Sequence, residues 1–477
     1  MTESSSSPGT IERRPRGRSG SWFVWGALLV AALTYFNLFK LPDLLLWPAR
    51  ILLFCAIGYL AVATFRKILK SKFTPKTAIF SLVLIALLYG VLFIICHLFV
   101  KLMAARDERL AAAQSTTLTE KARRVTGKFI QGNHPALFDA DVGWVPRPSY
   151  QWQSHSISEQ GLRGKRIYPQ APADPDARIL CMGDSFTFGY EVEDDQTFPH
   201  HGEQLRPGTE WINLGICGAG LTQALKRYRK HGKDFGGKYV VIGYMNNNVK
   251  RTVNSYRGFV SPSDTNAFAK PYAKISDGEL SIEPNPYQEL SDYQRLLDNE
   301  EEEVRGLYEL DYLVWSKQRY SKNPVVRTLG YVWERLDGYR NLDILLNRSK
   351  DDRHGPFRPG ANPYGASIWH PESLGFQANA GVFDLFYNEV IADGREPIIV
   401  IFPSAGDVEH RMAGRPDKNI ALTEHFDEKG YRYINLLDSL QAFHGDELST
   451  ETVFVRTHLN GGANKLLAEE IIKAFKL

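Results

Sequence analysis

Hydrophobic and polar positions divide this chain into two unlike parts. The first hundred residues hold three apolar runs, Trp22 to Phe39, Leu44 to Phe65 and Ala78 to Val100, each long enough to cross a bilayer as a helix. Pro48 and Arg50 interrupt the second, so its spanning part is predicted to begin near Ile51. Beyond residue 128 the apolar runs shorten to four to six positions flanked by turn residues. Ile179 to Met182 reads as a strand buried on both faces, and Glu210 to Leu214, Lys238 to Gly243, Pro397 to Phe402 and Arg432 to Leu436 as further short strands. Helical segments separate them, and a last helix is predicted from about Gly462 to Phe475. Strands alternating with helices imply an α/β fold, a flavodoxin-like three-layer sandwich around a parallel five-stranded sheet, preceded by three transmembrane helices.

The predicted organisation is a disordered basic tail over 1–20, a three-helix membrane anchor over 21–100, a stalk and linker over 101–128, and a soluble domain over 129–477. The tail is rich in Ser, Pro, Gly and Arg, and the linker is the Ser/Thr stretch Ser115 to Thr119. Within the domain an insertion is expected at about 250–370, forming a cap or side lobe. It contains one helix-like stretch, Ser291 to Tyr320, whose acidic run Glu300 to Glu303 reads as a solvated face.

Charge adds orientation. The net charge of +3 over 477 residues gives no reason to expect nucleic acid as a partner. By position, Arg13, Arg14, Arg16 and Arg18 precede the first run, and Arg66, Lys67, Lys70, Lys72 and Lys76 separate the second from the third. The loop after the first run has only Lys40 and Arg50. Basic segments stay on the cytoplasmic side, so the N-terminus is expected in the cytoplasm and everything after about residue 101 outside it, in the periplasm or beyond. Four cysteines are too few for a disulfide scaffold: Cys55 and Cys96 lie in apolar runs, Cys181 and Cys217 at strand ends, and all are expected to be buried free thiols. His200-His201 lacks metal-ligand spacing, and no cofactor is expected.

The candidate chemistry sits at the strand ends. Gly183-Asp184-Ser185 closes the first strand, where a sharp strand-to-helix turn exposes a hydroxyl beside backbone N–H groups. The second strand ends at Gly215-Ile216-Cys217-Gly218-Ala219-Gly220, the third at Tyr244-Met245-Asn246-Asn247-Asn248, and Thr457-His458-Leu459-Asn460-Gly461-Gly462 precedes the final helix. Upstream stand Phe138-Asp139-Ala140-Asp141-Val142-Gly143-Trp144 and Ser158-Glu159-Gln160-Gly161-Leu162-Arg163-Gly164, which read by themselves as loops. In wording and order these blocks resemble the SGNH (GDSL-type) hydrolases of the membrane-anchored bacterial kind.

The resemblance implies Ser185 as nucleophile and His458 as base. It also implies an oxyanion hole from the Ser185 and Gly218 N–H groups and the Asn247 carboxamide, with Asn247 chosen over Asn246 by its spacing from the strand. The chain departs from the family in one respect. An aspartate normally stands two or three residues before the histidine, and Val455 and Arg456 occupy those places. Three readings stay open: a Ser-His dyad whose ring is oriented by a backbone carbonyl, narrowly favoured; an acid from elsewhere, such as Asp446, Glu447 or Glu451; or binding without turnover. Arg456 reads as an exposed, salt-bridging side chain, and Trp315, Trp333 and Trp369 of the insertion as core rather than sugar-stacking rings.

The function expected from the resemblance and the placement is an esterase acting on O-acyl groups, O-acetyl first, of an extracytoplasmic carbohydrate. Its alternatives are an O-acetyltransferase working with a separate membrane acyltransferase as partner, and a non-catalytic glycan-binding scaffold.

Overall fold

The structure is a computed structural model that describes residues 118–477 except 153, 247, 262–266, 313–365, 370, 372, 416 and 418, together with five positions between 90 and 98. The basic tail, the first two apolar runs, nearly all of the third, and residues 101–117 of the expected stalk lie outside the described residues. Among the described residues no helix is long and apolar enough to cross a membrane. Leu92–Leu477 forms one compact unit.

Five strands build the central sheet: β1 (Arg178–Gly183), β2 (Glu210–Gly215), β3 (Tyr239–Met245), β4 (Glu396–Phe402) and β5 (Tyr433–Asn435). All neighbours are parallel and the order is β2-β1-β3-β4-β5, the doubly wound arrangement in which the order reverses between β1 and β3. A crevice opens outside the carboxyl ends of the strands at such a reversal. β3 runs to Met245, two residues past the predicted end, because Tyr244 and Met245 pair in register with Ile401 and Phe402.

Alternation along each strand divides the core into two layers. Leu180, Met182, Ile212, Leu214, Val240, Ile242, Ile399 and Ile401 face one side. Ile179, Cys181, Trp211, Val241, Val400 and Phe402 face the other. The helices that matter for the site are α1 (Ser185–Phe188), α2 (Phe198–Leu205), α3 (Leu221–Arg227), α4 (Asn248–Val253), α5 (Leu374–Ala392), α6 (Leu436–His444) and α7 (Gly461–Phe475). The first layer receives α3, α4 and α5, through Leu221, Leu225, Val249, Val253, Phe383 and Phe386. The second receives α2, α6 and α7, through Phe198, Leu440, Leu467 and Ile471.

A third apolar cluster joins the lead-in to the insertion. Val125 and Phe129 of the helix Glu120–Ile130 pack with Trp144, Phe268, Tyr293, Leu296, Val304 and Leu307. Phe129 stacks on Phe268 at 4.0 Å between ring centroids. The last part of the expected stalk is therefore folded against the described part of the insertion, whose Ala273, Tyr312 and Ile368 also belong to the first core layer. The predicted single helix from Ser291 is broken at Asn299, whose φ of −126° and ψ of 48° are not helical. Leu290–Asp298 ends there and Glu300–Glu309 begins, with four glutamates in its first turn where the helix dipole favours negative charge. The first upstream block, read as a loop, contributes to an antiparallel pair, Ala136–Asp139 with Gly143–Pro146; the second, Ser158 to Gly164, follows the pair Tyr150–Trp152 with His155–Ile157 and returns to it through a parallel bridge between Gly164 and Ile157.

Candidate active site

β1 ends in a turn that only glycine permits. Gly183 has φ +154°, and a Cβ there would stand 2.2 Å from Thr187 Oγ1 and 2.9 Å from the Gly243 carbonyl oxygen. The buried Asp184 Oδ1 then accepts the Phe186 N–H at 2.8 Å and caps the single turn of α1. Ser185 is the first residue of that turn, so its N–H is one of the end groups with no partner within the helix. Neighbouring strands hold the turn in place. A Cβ on Gly215 would meet the backbone nitrogen of Phe188 at 2.3 Å, so β2 and α1 touch backbone to backbone. Asn213 of β2 donates to the Thr187 carbonyl oxygen at 2.9 Å and accepts the Gly215 N–H at 3.0 Å.

The second and third blocks are tied to the same turn. Asn248 Nδ2 donates to Asp184 Oδ2 at 2.8 Å. Arg251 donates to Asn248 Oδ1 at 3.0 Å and to the Ala219 carbonyl oxygen at 3.3 Å, with its guanidinium 3.8 Å from Asp184 Oδ2. Gly218 lies in the loop after β2 with φ +78°, a conformation that any other residue would adopt under strain. Asn247, the expected carboxamide donor, lies outside the described residues. Its neighbours are committed elsewhere, Asn246 Nδ2 to Asp407 Oδ1 at 2.8 Å and Asn248 to Asp184. Trp369, expected in the core, is half-buried beside this turn. Its Nε1 donates to the Asn246 carbonyl oxygen at 3.3 Å and Lys250 lies 5.0 Å over its ring. Trp315 and Trp333 lie outside the described residues.

His458 reaches this spot from 273 residues away. The turn Val455 to His458 is closed by the Val455 N–H donating to the His458 carbonyl oxygen at 3.0 Å, and Asn460 caps α7 by accepting the Ala463 N–H at 2.9 Å. The ring packs against Phe186 at 4.7 Å and Tyr190 at 5.1 Å, and its Nε2 stands 2.8 Å from Ser185 Oγ. Burial pushes the ring below its ordinary value of 6.5, and the charge of Glu191 works in the opposite direction. A neutral, accepting Nε2 within hydrogen-bond distance of a hydroxyl is what a general base requires.

The second ring nitrogen stands near an acid from elsewhere in the chain, though none of the three carboxylates weighed from the sequence. Nδ1 lies 2.9 Å from Thr457 Oγ1 and 3.8 Å from Glu191 Oε2, so no backbone carbonyl orients it. Asp446 and Glu447 sit in the turn Gly445–Glu447 and Glu451 on the short helix Thr450–Val453, and Glu191 is the carboxylate beside the ring. Its side chain is 6% exposed, and it accepts the N–H groups of Arg456, Thr457 and His458 at 3.2, 2.9 and 3.1 Å and the Thr457 hydroxyl at 3.1 Å. Burial would raise its carboxyl, but the Thr457 and His458 N–H groups and the ring outweigh this and hold it below the ordinary carboxylate range. Arg456 is exposed, with Nε 3.5 Å from Glu191.

Glu191 and Thr457 were missed in the sequence. An acidic residue six positions after the serine looks like any loop carboxylate, and its partners lie more than 260 positions away. Glu191 has φ +77°, which costs a residue with a side chain roughly 1–2 kcal/mol, so its side chain offsets a real backbone penalty. Of the cysteines, Cys181 is fully buried and its thiol is pushed well up by desolvation, while Cys217, expected to be buried, is only half-buried.

No protein-family profile and no curated relative matches the chain. Among solved structures it is similar to a lipolytic protein of the G-D-S-L family from Desulfitobacterium hafniense, at 10% identity and a TM-score of 0.30, covering 63% of this chain and 99% of that one. It is similar to an acylhydrolase from Bacteroides fragilis at 11% identity and a TM-score of 0.30, covering 64% and 89%, respectively. A G-D-S-L family lipolytic protein from Veillonella parvula gives 11% and 0.29, covering 63% and 98%. Overall superposition this loose leaves the residues to speak for themselves. On a sheet of order β2-β1-β3-β4-β5, the Gly-Asp-Ser turn with an imidazole 2.8 Å from its hydroxyl is the feature by which this chain resembles the SGNH hydrolases.

Proposed function

We propose that the chain is a serine esterase that removes O-acyl groups, O-acetyl first, from an extracytoplasmic carbohydrate, held at the membrane by residues 21–100. The observation that carries the acyl chemistry is the 2.8 Å contact between Ser185 Oγ and His458 Nε2. In this reading Ser185 Oγ attacks the ester carbonyl carbon as its proton passes to Nε2. The resulting oxyanion is held by the Ser185 and Gly218 N–H groups and by the carboxamide of Asn247. Collapse breaks the bond to the sugar oxygen, which leaves with the proton from Nε2, and the acyl group stays on Ser185. Water then attacks the acyl-serine, gives its proton to the same nitrogen, and releases the acid and the free hydroxyl. Carbohydrate and membrane placement are supported by the three apolar runs, their flanking charges and the family resemblance.

The test is hydrolysis of p-nitrophenyl acetate and of an acetylated polysaccharide by the full-length chain. Ser185→Ala and His458→Ala are expected to lose at least about 10³-fold of the parent rate. Equal rates in all three proteins would overturn the esterase reading in favour of a glycan-binding scaffold. Acyl release that depends on an added sugar acceptor rather than on water would assign the chain to transfer.

A further inference from the structure

We propose that Glu191 takes the place of the missing triad acid, acting on His458 through the hydroxyl of Thr457 as a positioning residue. The inference rests on the acyl-serine reading and adds to it the group that orients the base.

Hydrogen-bond polarity along the chain of contacts leaves one arrangement. The Thr457 hydroxyl has a single hydrogen and two neighbours that could accept it, Glu191 Oε1 at 3.1 Å and His458 Nδ1 at 2.9 Å. An ionised carboxylate is the stronger acceptor, so the hydrogen goes to Glu191. Thr457 Oγ1 can then only accept from the ring, which puts the ring proton on Nδ1. Nε2 is left with its lone pair toward Ser185 Oγ, the tautomer that can take the serine proton. The opposite tautomer would strip Glu191 of its hydroxyl donor and make Nε2 a donor to Ser185. The carboxylate thus selects the working tautomer across one intervening hydroxyl, and its Oε2, 3.8 Å from Nδ1, favours the imidazolium that forms when Ser185 is deprotonated.

A purely structural role is the competing account, because three successive N–H groups of the 456–458 turn also bind this carboxylate. The two accounts separate in the pH profile and at Thr457. The negative charges of Glu191 and Asp184 favour the protonated ring and the positive charge of Arg251 opposes it; Tyr190 packs on the ring at 5.1 Å between centroids, and the exposed Arg456 stands with its Nε 3.5 Å from Glu191. Removing the Glu191 charge leaves Arg251 less opposed, so the base is protonated at lower pH.

The experiment is the pH profile of kcat/KM for p-nitrophenyl acetate with the full-length chain, in parent, Glu191→Gln, Thr457→Val, Thr457→Ser and Ser185→Ala. Glu191→Gln is expected to lose about 10² to 10³-fold and to move the acidic limb to lower pH. Thr457→Val keeps the three N–H contacts, so it is expected to fold and to lose roughly 10 to 10²-fold. This is less than the roughly 10⁴-fold of a buried triad acid, because Thr457 is exposed. Thr457→Ser is expected to recover most of what Thr457→Val loses. Parent rates in Glu191→Gln and Thr457→Val, with Ser185→Ala inactive, would overturn the relay and leave the esterase reading standing. Losses that are the same in Thr457→Ser as in Thr457→Val, or that leave the acidic limb unmoved in Glu191→Gln, would also overturn it. Ser185→Ala hydrolysing at the parent rate would instead overturn the esterase reading itself.

Discussion

Gly215→Ala tests whether the nucleophile is positioned by backbone contact between β2 and α1. The added Cβ would stand 2.3 Å from the nitrogen of Phe188, 2.7 Å from its Cα and 2.8 Å from the carbonyl carbon of Thr187. All three atoms belong to the backbone of the turn that starts at Ser185, so no side-chain rotation relieves the clash. Restoring ordinary van der Waals separation requires a displacement of about 1 Å. β2 cannot supply it, because Gly215 is paired with Gly183 in the sheet. α1 is hemmed in on its other side, where Thr187 packs on Gly183 and Gly243. Overpacking of this kind costs about 1–3 kcal/mol of stability. A shift of about 1 Å between Ser185 Oγ and an imidazole now 2.8 Å away is expected to lower kcat about 10²-fold. The assays are the urea midpoint and kcat for p-nitrophenyl acetate, with Gly306→Ala as control. Gly306 lies mid-helix with open space around it, and the change there is expected to stabilise by about 0.5–1 kcal/mol and leave kcat unaltered. Parent kcat and parent stability in Gly215→Ala would show that α1 is not pinned as described.

Asn248→Ala removes the donor to the buried Asp184 and one acceptor of Arg251, and is expected to destabilise by about 1–3 kcal/mol in urea unfolding; no change would mean that the third block does not hold the turn. His155, buried among Trp152, Phe188 and Tyr190, is lowered to about 4 by desolvation and by Arg163. Between pH 6.5 and 4 the unfolded chain binds a proton that the native ring refuses, so stability falls as pH drops through that window, by up to about 3 kcal/mol. His155→Phe is expected to lose that part of the pH slope, and an unchanged slope would place the titration elsewhere. If the parent protein hydrolyses the ester as proposed, the acidic limb of kcat/KM is expected below pH 6.5, since burial lowers His458; a limb above 7 would contradict that environment.

The sheet was legible because its strands are covered on both faces, which leaves runs such as Ile398 to Phe402 with no polar interruption. Ser185 and His458, which the structure brings to 2.8 Å, were legible because one stands at a strand end and the other before a helix start, each inside a block whose wording is itself a signal. Long-range pairing with no local pattern escaped. The hairpin Ala136–Pro146 carries Asp139, Asp141, Gly143 and Pro146, which read as turn residues, and it gains its strand character from the packing of Ala136, Val142 and Trp144. Glu191 is the sharper case. Nothing within ten residues marks it, and its role is defined by a turn 265 to 267 positions away. Its one local peculiarity, a positive φ, is a property of the folded backbone.

The proposed chemistry makes Ser185 a nucleophile whose proton His458 takes. The direct measurement is labelling of the full-length chain by a fluorophosphonate, in which serine oxygen displaces fluoride from phosphorus, followed by mass spectrometry of the peptides. A single phosphonyl adduct is expected on Ser185 in the parent, with a labelling rate lower by at least about 10²-fold in His458→Ala. An unlabelled Ser185, or labelling that proceeds equally fast without the imidazole, would contradict it.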